Sequence, residues 1–323
     1  MSAAFRKARL NKERTSAAGC AGLRSPLMSD AVPEMTVDAF LKTAWSDHGD
    51  HPHEVAERIA TSLHLVQTPE HLAPFARLLT HVYGEHLGRW DRGVELLESL
   101  RGQFAAAGST AAAGPIDLGV AMLRYGNGDA SALEALPEVD RVCALASASS
   151  ALAGRDEFPR AIAAYEQALH TAQGAAAVSP SAMRALAAGG NSLAALLEAK
   201  SNRSTSQTEA MLVAAQAALL YWKQVGTWLE EERAEYRLAR SRLQAGQSTA
   251  AVQSAQRCVA VCERNGAPAF EQFFAHSVLA SSHRAAGDAA SFAAHREIAL
   301  SYFEQTSEDE RKSCETERNE LGS

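Results

Sequence analysis

Aromatic residues are scarce in this chain of 323 residues. Phe, Trp and Tyr make up 6% of it, although 46% is hydrophobic. Alanine fills the deficit, in runs such as "FAAAGSTAAAG" and "LVAAQAALL". Alternation of Val, Ile, Thr and Tyr never persists beyond a few residues, so the usual mark of a β-strand is missing. Alanine at this density favours close-packed helices instead. No stretch of about 18 apolar residues escapes a charged or polar break, which excludes an ordinary membrane-spanning helix.

Catalytic signatures are missing too. There is no G-x-x-x-x-G-K-S/T loop to cradle phosphate and no G-x-G-x-x-G after a strand. There is no G-x-S-x-G elbow and no kinase motif set. Glu and His are scattered, and no pair has a spacing that demands acid–base work. The five cysteines, Cys20, Cys143, Cys258, Cys262 and Cys314, form an odd, scattered set. Such usage predicts reduced thiols and a cytoplasmic chain. Cys258 and Cys262 are neighbours on a helix and read as small buried hydrophobes, since a metal pair is usually spaced C-x-x-C. Nothing local supports a nucleophilic role for Cys143 or Cys314. No enzyme activity and no cofactor are expected.

The net charge of −7 is unevenly spread. Residues 1–27 carry six bases, Arg6, Lys7, Arg9, Lys12, Arg14 and Arg24, against Glu13. That is +5, which leaves −12 for the rest, an acidic body that argues against nucleic-acid binding. Residues 1–34 read as a disordered basic extension, with a true start at Met28 or Met35, and residues 1–27 are expected to be dispensable for folding.

"DHGDHPHEVAERIATSLHL", residues 47–65, holds four histidines, His48, His51, His53 and His64. A zinc-protease helix needs His-Glu-x-x-His, but the run after His53-Glu54 reaches Glu57, so the second histidine is missing. A plain amphipathic helix fits. Pro52 suits the first turn, behind Asp50 or His51 as cap. Val55, Ala56, Ile59, Ala60, Leu63 and Val66 fall on one arc at about 100° per residue. His53, Glu54, Glu57, Arg58, Thr61 and His64 fall on the other. These histidines are expected to face solvent, with no metal bound; His48 or Asp50 would be needed to complete a ligand set.

One pattern recurs along the chain: a helical run, a short glycine-containing turn, then a second helix with small residues at fixed offsets. "GRWDRGVELLESL" begins at Gly88, "GRDEFPRAIAAYEQAL" at Gly154, "GQSTAAVQSAQRCV" at Gly246 and "GDAASFAAHREIAL" at Gly287. Around Gly246, Leu238 and Ala239 precede the turn and Ala251, Ala255 and Cys258 follow it. Around Gly287 stand Leu279, Ala280 and Ala299, with Phe292 at a usual alanine position. After Gly154 come Ala161, Tyr165 and Ala168, with two extra residues in the turn. "NSLAALLEA", from Asn191, reads as a further first helix, partnered by "EAMLVAAQAALLYW".

Over residues 70–303 this pattern resembles a degenerate tetratricopeptide repeat, although Gly246 and Gly287 are 41 residues apart and the family usually repeats at about 34. The resemblance implies an all-α fold of about a dozen helices, paired antiparallel and stacked into one right-handed superhelix. It would form a single domain over 35–303, closed by an acidic capping helix and tail over 304–323. It also implies a concave groove lined by first helices. In "ERAEYRLARSRL" that face would present Arg233, Tyr236 and Arg240. The preceding pair would add Asn191, Ala195 and Glu198, and the following pair Phe274, Ser277 and Arg284. Arg233, Arg237, Arg240 and Arg242 form a basic island able to grip an acidic peptide. Alternatively they are ordinary solvated charge, neutralised by Glu230, Glu231, Glu232 and Glu235.

Three functions follow. The first is an interaction scaffold or adaptor that holds a protein or peptide partner in the groove, with no nucleic-acid or membrane partner. The second is the ligand- or peptide-sensing part of a signalling or transcription system; no helix-turn-helix is evident for direct DNA contact. The third is a metalloenzyme using the His48–His64 region.

Overall fold

Short polar caps decide where the helices begin. The side chains of Thr36, Ser179, Ser204, Thr227 and Asp288 each accept a hydrogen bond from an amide of the following first turn. Those donors have no partner within the helix itself. Gln207 and Glu230 return the bond at Ser204 and Thr227, closing two capping boxes. Pro52, Pro69 and Pro180 open their helices, where a missing N–H is harmless.

The computed structural model describes residues 35–108, 113–174 and 178–322. Among these are fourteen α-helices and no strand, so the all-α expectation holds. The helices pack in adjacent pairs. No described helix is long and apolar enough to cross a membrane. The basic extension over residues 1–34, with Cys20, lies outside the described residues. Contacts divide the chain after Leu123, so the single domain expected over 35–303 spans two compact units.

The first unit holds α1 (Val37–Asp47), α2 (Pro52–Thr61), α3 (Pro69–Thr80), a π-helical stretch (His81–His86), α4 (Trp90–Ala106) and the start of α5 (Ala113–Gly126). The apolar arc of α2 is where the periodicity puts it: Val55, Ala56 and Ile59 are fully buried, and Val66 with them. Phe40 stacks on Phe75 at 5.6 Å between ring centres. The Tyr83 hydroxyl donates to the Ala56 carbonyl at 2.9 Å.

The second unit contains α6 (Glu138–Gly154), α7 (Phe158–Gly174), α8 (Pro180–Ala199), α9 (Thr205–Val225), α10 (Trp228–Gln244), α11 (Ser248–Arg264), α12 (Ala269–Ala285), α13 (Ala289–Glu304) and α14 (Glu308–Gly322). The pairs are α6/α7, α8/α9, α10/α11 and α12/α13. First helices also touch in succession, α6 to α8, α8 to α10 and α10 to α12, and α14 packs on α12.

Small residues permit these approaches. A Cβ on Gly189 would meet the Ala146 carbonyl oxygen at 2.7 Å, and one on Gly190 would meet the Ala214 carbonyl oxygen at 2.6 Å. The glycine pair thus brings α8 against α6 on one side and α9 on the other. The expected turns are present. Gly246 takes φ +72°, open to glycine without penalty. In the run from Gly154 the left-handed position falls two residues later, on Asp156 at φ 62°. That shift accounts for the longer turn read in the sequence.

Candidate functional site

α10 is the most polar of the second unit's first helices, yet every residue from Glu232 to Ser241 is buried. Ionised groups out of water need partners, and they find them on five neighbouring helices. Arg233 donates to Glu271 of α12 at 2.7 Å. Arg237 pairs with Glu198 of α8, whose other oxygen accepts from Ser241 at 2.7 Å. Arg240 forms two hydrogen bonds with Glu320 of α14. Glu235 accepts from Lys223 at 3.0 Å and from Arg257 at 2.9 Å. Arg242 reaches Ser254 of α11 at 2.7 Å.

The basic island is therefore dispersed, each guanidinium serving a different helix. Two of the nearby acids act on it through charge alone, Glu230 on Arg233 and Glu235 on Arg242, while their hydrogen bonds go to other groups. Glu230 accepts from its own cap residue Thr227 at 2.7 Å. Glu232 accepts from the Cys258 thiol at 3.2 Å.

The stripe Arg233, Tyr236 and Arg240, expected on an open groove, is closed. The three residues are 5%, 0% and 8% exposed. What closes it over Tyr236 and Arg240 is the acidic C-terminal helix. The Tyr236 hydroxyl donates to Glu317 at 2.6 Å. Glu317 is almost wholly buried, and its Oε2 has no hydrogen-bond partner among the described residues. Burial raises its pKa, opposed by the charge of Arg240 and the hydrogen bond from Tyr236. Two more arginines hold the last turn of α14: Arg284 donates to the Glu320 carbonyl at 2.9 Å, and Arg296 to the Leu321 carbonyl at 2.8 Å. Cations are favoured at this end of a helix, where carbonyls lack internal partners.

The other groove residues scatter in environment. Phe274 is fully buried, edge-on to Tyr236 at 5.8 Å. Ala195, Glu198 and Ser277 are buried. Asn191 is half-buried, and its Oδ1 has no hydrogen-bond partner among the described residues. Arg284 is exposed. Cys258 and Cys262 are buried as small core residues, as their spacing predicts. Burial pushes the Cys143 thiol up to about 11, far from a nucleophilic thiolate.

The histidines of 47–65 separate into two kinds. His51, His53 and His64 are exposed, as expected. His48 is not: it caps the C-terminal end of α1, is 5% exposed and stands beside His81 and His86. Sequence reasoning missed this meeting because the partners lie more than thirty residues away, in a stretch never singled out. One ring nitrogen from each of the three comes within 4.8 Å of the others.

No protein-family model matches this chain, and comparison with curated proteins finds no relative.

Proposed function

We propose that the chain is a non-enzymatic interaction module whose second unit binds an acidic helix of a partner. The successive contacts α6–α8–α10–α12 support a tetratricopeptide-like, right-handed superhelix with first helices inside. The observation that carries the reading is the seating of α14 on that layer. Glu317 and Glu320, one turn apart on α14, meet Tyr236 and Arg240, one turn apart on α10. A buried tyrosine beside arginines is the composition of an interface hot spot. In this reading α14 is the stand-in for the partner, and binding begins when a competing acidic helix displaces it. The same displacement serves the sensing role, since α14 would then report the presence of a peptide.

The test uses the full chain and a synthetic peptide of residues 306–323. Glu317→Lys with Glu320→Lys should loosen α14 without touching α10. That variant is expected to bind the wild-type peptide at least about tenfold more tightly than the parent chain does, a gain of about 1.4 kcal/mol. Faster amide exchange in α14 with no gain in peptide binding defeats the proposal.

A further inference from the structure

We propose that His48, His81 and His86 form a binding site for a divalent transition-metal ion of the zinc type. The inference is independent of the helix-binding reading and concerns the first unit alone.

The tautomers are set by neighbours that only accept. His48 Nδ1 lies 2.8 Å from the Trp45 carbonyl oxygen, so Nδ1 carries the hydrogen and Nε2 the lone pair. His81 Nδ1 lies 3.0 Å from Glu85 Oε2, with the same consequence. The His81 Nε2 so prepared is 3.1 Å from His86 Nε2. Two nitrogens on one tetrahedral zinc, each at 2.0–2.1 Å, stand about 3.3 Å apart. The observed separation is thus close to a ligand edge. The carbonyl behind His48 and the carboxylate behind His81 are the usual outer support of a metal-bound histidine, holding the ring and raising its basicity.

The local backbone serves the same end. His81 and His86 are five residues apart, which on an α-helix turns them about 140° away from each other. The stretch from His81 to His86 is π-helical, so its ring closes at i+5, and such segments gather at functional sites. Leu87 N–H accordingly donates to the Val82 carbonyl at 3.1 Å. Gly84 sits inside the turn, where a Cβ would meet the Trp90 ring at 2.9 Å. Trp45 forms one wall, 5.2 Å from His81 and 5.1 Å from His48 between ring centres.

Three neutral imidazoles suit zinc, copper, nickel or iron better than calcium or magnesium, which prefer oxygen. Because His81 and His86 are only half-buried, a fourth position remains open to water or a small anion. Three protein ligands with one open position is the arrangement of an exchangeable rather than a sealed structural site.

The experiment takes the full chain without a histidine tag, strips it with chelator and titrates it calorimetrically with zinc chloride. Cobalt(II) absorption serves as a second readout. We expect one equivalent of zinc and a tetrahedral cobalt spectrum. Stoichiometric binding should vanish in His81→Ala and in His86→Ala. It should persist in His53→Ala and His64→Ala, and weaken about 10- to 100-fold in Glu85→Gln. Circular dichroism checks that each variant keeps its helix content. If a variant fails to fold, the cobalt spectrum of the native chain decides. Absence of both zinc binding and a cobalt spectrum in the native chain, or zinc binding that survives loss of His81 and of His86, overturns the proposal.

Discussion

The Tyr236 hydroxyl and the Glu317 carboxylate, 81 residues apart in sequence, share a 2.6 Å hydrogen bond in the interior of the second unit. Through that bond and the neighbouring Arg240–Glu320 pair, the last helix is joined to a helix in the middle of the unit. Tyr236→Phe removes the donor while keeping the ring against Phe274. Leaving a buried acceptor short of a donor costs about 1–3 kcal/mol. The destabilisation should appear in urea titration, with α14 amides exchanging faster than those of α10. Equal exchange in the two helices contradicts the assignment.

Arg233 and Glu271 are 6% and 1% exposed at the side chain. Arg233→Ala takes a cationic hydrogen-bond donor from a buried carboxylate, and we expect a loss of about 3–5 kcal/mol. Arg233→Met combined with Glu271→Leu removes both charges and should recover most of that loss, because a well-packed apolar pair often equals a buried ion pair. The check is the urea midpoint at constant slope. A double variant no better than the single one means that the pair is needed for more than mutual neutralisation.

Gly190→Ala should destabilise the second unit by about 1–3 kcal/mol or more, as overpacking does. Its Cβ would meet Tyr165 Oη at 2.2 Å and the Ala214 carbonyl oxygen at 2.6 Å. Tyr165→Phe clears only the first clash, so it should not rescue the variant. Full rescue in thermal melting shows that the α8–α9 backbone approach is not limiting.

His276 supplies a pH dependence. It is 5% exposed, its ring pairs with His295 at 3.1 Å and stacks on Tyr302, and His283, bonded to Asp288, stacks on His295. Burial, then the His295 charge, lowers its pKa from 6.5 to about 4. Between those values the unfolded chain binds the proton and the folded chain does not, so stability falls as the pH falls. The full effect at the lower end is at most about 3 kcal/mol. Glu317, with its pKa raised, acts in the opposite direction, so the quantity to measure is wild type minus His276→Gln. Parallel stability curves for the two proteins from pH 6.5 to 4 refute the assignment.

What the sequence disclosed was local. The arc Val55, Ala56 and Ile59 was legible because helical period alone decides which side is buried. The turn at Gly246 was legible because left-handed backbone favours glycine. The fate of Arg233 was not, since its partner Glu271 lies 38 residues on and local charge spacing pointed only to Glu230–Glu232 and Glu235. Arg240 reads as an open-face residue until Glu320 is placed over it. The histidine cluster was hidden twice, by the distance from His48 to His81 and by a spacing of five that makes sense only on a π-helix.

The seating of α14 also orders events during synthesis. α10 emerges from the ribosome with a run of charged side chains well before its partners Glu317 and Glu320 are translated. Until α14 follows, Tyr236 and Arg240 lack Glu317 and Glu320. The high sequence separation of these contacts makes their formation a late, slow step, and the exposed layer is open to chaperones and proteases in the interval. Loss of α14 therefore acts as a lesion at the middle of the second unit, where Tyr236 and Arg240 lie.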